Sequence, residues 1–171
     1  DRLERFVIGL GLCPFAAAPY RDVRIVYSVS DADSVEAIYQ AFLQTLVALI
    51  IADPAECETA LLIVSRGLSD FDDYLDMLSL LEQAVVEAGL AGVIQLASFH
   101  PDYQFEGVPE ADPANYSNRS PLPMFHLIRE DGLAEALASY PDPERIPERN
   151  VRRLRELGIE GIRSILRGEP E

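Results

Sequence analysis

Lysine is absent: all 14 basic residues of this 171-residue chain are arginine. Without lysine there is no Schiff-base amine and no P-loop cation, which excludes the enzyme classes that depend on either. Cysteine is scarce. Cys13 and Cys57 are the two present, too few for the disulfide framework of a small secreted fold. Tryptophan is missing, and histidine is confined to His100 and His126. No stretch approaches the roughly 18 uncharged apolar residues of a spanning helix. The most apolar run, AFLQTLVALIIA, contains Gln44 and stops at Asp53 and Pro54. These absences predict a cytoplasmic protein with no membrane partner. The chain opens on Asp1 rather than Met, which leaves an upstream segment open.

Positive charge is scarce too. Against 29 acidic residues the arginines leave a net charge of -15 and a pI near 4.4, a surface that repels polyanions and argues against nucleic acid as a partner. The imbalance is uneven. Residues 144–171 hold seven Arg and six Glu, a sum of +1, so residues 1–143 carry -16. With 49% hydrophobic residues, a chain of this length can bury roughly 70% of its unfolded surface around one core. One domain over residues 1–171 is the expectation.

What is there alternates. In VRIVYSV (23–29) Val23, Ile25, Tyr27 and Val29 fall on one face of a strand. Asp33, with Glu36 three residues on, then marks a helix start, and Pro54 lies beyond its end. ALLIVS (60–65) reads as a central strand covered on both faces. Asp70, Asp72 and Asp73 open a second helix, where its dipole favours anions, and Gly89 or Gly92 stops it. VIQLASF (93–99) and MFHLI (124–128) read as strands three and four. Residues 131–140 and 150–168 read as helices, and RLERFVIGLGL as a short one closed by Pro14. Crossovers of this length join parallel strands. The expected class is α/β, with helices on a small mixed, partly parallel sheet.

Between strands three and four, residues 100–123 make a long connection bracketed by the two histidines. Loops beyond about 15 residues in compact domains are functional or disordered. Tyr103, Phe105 and Tyr116, with prolines at 101, 109, 113, 121 and 123, argue for order. His100 stands at the carboxyl end of a predicted parallel strand, where open α/β sheets bind ligands. Arg119 offers a fork for carboxylate or phosphate, Asn115 and Asn118 neutral hydrogen bonds, and Glu106, Asp102 or Asp112 a base or ligand.

GLGLCPFA, FHPDYQFEG, ADPANYSNRSPLPMFHLIRE and YPDPERIPERN, in this order across essentially the whole chain, resemble the bacterial family catalogued as domain of unknown function 1415. The resemblance implies that Cys13, His100, Asn118, Arg119 and His126 belong to the family's motifs. It implies no reaction.

Two functions of different class follow. In the first the chain is a small enzyme acting on a small anionic metabolite. Arg119, Asn118, Asn115, Tyr103 and Glu106 bind the anion, His100 or His126 moves a proton, and Cys13 is the nucleophile. In the second the long loop binds a ligand or protein, or a second copy of the chain, and the histidines only order it. Each residue also has a plain structural role open to it: Cys13 as a small buried hydrophobe, His126 as a satisfied core imidazole, Arg119 as a tie to a backbone carbonyl. His100, His126, Cys13 and Asp102 or Glu106 would make a mixed metal set. No pair has zinc-motif spacing, and no cofactor is expected.

Overall fold

The computed structural model describes residues 2–138 and 140–168. A π-helical turn, Leu3–Ile8, leads into α1 (Ala17–Arg21), and then β1 (Ile25–Ser30), α2 (Val35–Ile51), β2 (Thr59–Val64), α3 (Phe71–Glu87) and β3 (Ile94–Phe99) alternate. After the long loop come β4 (Met124–Arg129), α4 (Glu130–Ala138) and α5 (Ile146–Arg167). The architecture is mixed α/β, as the patterning predicts.

Helix starts follow local chemistry. Ser34, rather than the predicted Asp33, caps α2, because Ser34 has the extended backbone and its hydroxyl accepts from the Ala37 amide at 3.3 Å. Asp70 caps α3 as read, taking the amides of Asp72 and Asp73. Helix α5 begins four residues before the predicted Asn150, since Pro147 falls in its first turn, where no amide is missed. It breaks at Gly158, whose φ of 66° and ψ of 172° only glycine adopts without strain. Ser139, inside the helix predicted over 131–140, lies outside the described residues.

The sheet order is β1-β2-β4-β3, with β1 and β2 parallel and β4 antiparallel to both its neighbours. The expected crossover from β2 to β3 therefore skips a place, and β4 fills it. Side chains alternate across the sheet. Ala60, Leu62, Val64, Ile94, Phe125 and Leu127 face α2 and α3 and form the main core with Ile38, Phe42, Leu46, Tyr74 and Leu81. A second cluster, Phe6, Leu12, Leu154 and Ile162, fastens the N-terminal segment to α5. No helix among the described residues is long and apolar enough to cross a membrane.

Candidate functional site

The residues of the long loop are held by one another and by α3, β3 and α5. His100 is fully buried, its ring 5.2 Å from that of Phe71 and 5.1 Å from that of Tyr74. Its Nδ1 accepts the Asp102 amide at 3.1 Å, so Nε2 carries the proton and donates to the Leu68 carbonyl at 2.9 Å. Both nitrogens are occupied. The backbone of His100 pairs around Arg119, accepting from Ser120 and donating to Asn118 at 3.2 Å each.

Asn115, also fully buried, donates to the carbonyls of Pro109 and Glu110 and accepts the Phe105 amide. Asn118 donates to the Ser98 carbonyl and accepts from the Ser117 hydroxyl. Arg119 donates to the carbonyls of Tyr103 and Glu110 and lies over the Tyr116 ring at 5.1 Å. Tyr103 packs against Phe71 and Phe105, and Glu106 is exposed. Asp112 caps the short 3-10 turn Pro113–Ser117 and takes a two-pronged bond from Arg155 that ties the loop to α5, which holds its carboxyl below the usual range. The expected anion clamp is thus a set of internal braces. The insertion of β4 explains it: the chain must cross the carboxyl end of β3 to enter the sheet, and in doing so it covers the crevice expected there.

A wide concavity lies instead on the sheet's other face. Ile25, Tyr27, Thr59, Leu61, Ile63, Phe99, Met124, His126 and Ile128 form the floor of a cleft of about 1040 Å³; Cys13, Pro14, Phe15, Pro19 and Leu133 are among its walls. A strand read as covered on both faces has Leu62 in the core and Leu61 and Ile63 in this cleft, both half-buried.

His126 lies in that floor beside Thr59. Thr59 Oγ1 lies 2.6 Å from both His126 Nε2 and the Leu127 carbonyl. A carbonyl cannot donate, so the single hydroxyl proton goes to Leu127 and Nε2–H must donate to Thr59. Nδ1 is then an unprotonated acceptor with no protein partner among the described residues. Burial lowers the pKa of His126 to about 4, so the ring is neutral near pH ~7. Cys13 shares the cleft with His126, not with His100. Burial pushes its thiol up, although the amides of Phe15 and Ala16 act the other way. A neutral imidazole and a protonated thiol are the reverse of the activated pair.

The arginines at the cleft are engaged. Arg24 pairs with Glu58 at 2.7 Å, and Arg2, which burial brings down to about 10, donates to the Tyr116 carbonyl. Arg129 holds the carbonyl ends of α2 at Leu49 and Ala52 and the carbonyl of Cys57. Among the described residues no three His, Cys, Asp or Glu side chains come together to hold a metal. Sequence reasoning missed Thr59 and the cleft floor; the signal available was apolar side chains on both faces of the second strand.

A family described as protein of unknown function (DUF1415) has a model that matches residues 1–164. No curated protein and no solved structure matches the chain.

Proposed function

The chain belongs to that family, whose description carries no activity to transfer, and from its geometry we propose that it binds a small apolar molecule bearing one hydrogen-bond donor. The single observation that supports this is His126 Nδ1, a neutral acceptor without a protein partner among the described residues, set among the mainly apolar side chains of the cleft floor while the charged groups stand at its walls. Ligand sites combine this much apolar wall with a few placed polar groups. An anion is a poor match for the cleft itself, because its arginines already hold Glu58 and backbone carbonyls. This is the second of the two functions, moved from the loop to the sheet. The enzymatic alternative keeps one observation in its favour, that Cys13 and His126 border the same space.

The test is a matched set of naphthalene, 2-methoxynaphthalene and 2-naphthol, of which only the last donates. One hydrogen bond worth ~1 kcal/mol gives 2-naphthol about a fivefold tighter Kd in calorimetry or thermal shift. In His126→Phe the advantage disappears while the methoxy compound binds as before. Equal binding of all three to the wild type, or none, would defeat the proposal.

A further inference from the structure

A second concavity, of about 250 Å³, lies where the start of α5 meets the turn at Leu10–Gly11 and the Tyr140 ring. We propose that it is a binding site for a small oxyanion of the phosphoryl class, distinct from the apolar cleft. Arg149, Arg152 and Arg153 line it, and residues three and four apart share a helix face.

Their surroundings differ from those of Arg145, which caps this helix, and of Arg155 and Arg163 within it. Arg145, Arg155 and Arg163 pair with Glu148, Asp112 and Glu160. The three at the pocket have no carboxylate partner among the described residues, in a chain of net charge -15; Glu156 borders the same space without pairing with them. Like charges on one face repel, and the fold does not neutralise them.

Arg149 gives the second observation. Its guanidinium lies 5.1 Å above the Tyr140 ring. Its Nη2 is, among the described residues, the one side-chain nitrogen or oxygen wholly closed off from solvent that has no hydrogen-bond partner. A buried donor without an acceptor is costly and rare. The forked guanidinium suits phosphoryl groups, and a small shift of the Arg149 side chain on binding would give its enclosed Nη2 a phosphoryl oxygen as acceptor. The volume suits phosphate, pyrophosphate or a small phosphomonoester. A phospholipid headgroup has the same chemistry, so the experiment must separate the sources.

Calorimetry with pyrophosphate at constant ionic strength is the first arm. Saturable binding should weaken at least about tenfold in Arg149→Gln and in the double variant Arg152→Gln/Arg153→Gln, and stay unchanged in Arg163→Gln. The double variant alters exposed side chains and carries the test if Arg149→Gln does not fold. No binding below about 10 mM to the wild type, or an equal loss in Arg163→Gln, overturns the site. The second arm is co-sedimentation with phosphatidylglycerol/phosphatidylcholine vesicles. Retention that pyrophosphate displaces and the double variant loses identifies a headgroup, and no retention identifies a soluble phosphate. Retention indifferent to both overturns the site.

Discussion

The two histidines have opposite roles in the fold, and the difference lies in what each nitrogen meets. His100 spends both on Asp102 and Leu68; His126, which lines the cleft, spends one on Thr59 and has no protein partner for the other among the described residues. The sequence places His100 at a strand end suited to ligands and offers His126 a core role, and in the fold these roles are exchanged. His100→Phe keeps the aromatic packing against Phe71 and Tyr74 but leaves an amide and a carbonyl unpaired in the interior. It should lower unfolding free energy by about 2–4 kcal/mol in urea titration, with 2-naphthol affinity retained wherever the protein is folded. Loss of binding at full stability would instead return His100 to the site. The position of His126 was partly legible, since flanking by Phe125 and Leu127 in a strand puts its ring on the opposite face. Its partner was not. Thr59 lies in another strand, and no local pattern encodes which strands become neighbours.

At the scale of elements, strand periodicity carried through with shifted ends: β2 is found at Thr59–Val64 against a reading of 60–65, and β1 at Ile25–Ser30 against 23–29, with Val23 outside the strand in an exposed left-handed turn. The sheet order did not, because a period of two says which face a residue takes and nothing about where β4 inserts. The order of the 100–123 loop was legible from its aromatics and prolines; its purpose was not, because Asn115, Asn118 and Arg119 suit an anion and a backbone carbonyl equally well. Asn115 is the hub, holding Phe105, Pro109 and Glu110 from one buried amide. Asn115→Ala strands three backbone groups and should cost about 2–4 kcal/mol. Proteolysis under native conditions should then cut first within residues 104–111. Cleavage elsewhere, or stability equal to the wild type, would show that the loop is held by other means.

At the scale of the molecule, the sheet has one face sealed by α2 and α3 and the other covered by a thinner layer that leaves the cleft, and this asymmetry gives stability a pH signature. His126 titrates at about 4 in the fold against 6.5 when free, and burial is the cause, with no charged group contributing. Because the folded value is the lower one, the unfolded chain binds the proton first as pH falls. The penalty is absent above 6.5, grows as pH drops toward 4 and is constant below that. Its full size is at most about 3 kcal/mol. Asp112, held low by Arg155, has the same sign but acts only below the 3.8 of a free aspartate, so the two windows are separate. Urea titrations of wild type and His126→Phe across this range isolate the imidazole. The variant's advantage should be flat at neutral pH and widen between 6.5 and 4. Curves that stay parallel through that window would mean that the ring takes up its proton without cost, which would remove the desolvation that keeps His126 a neutral acceptor in the cleft floor.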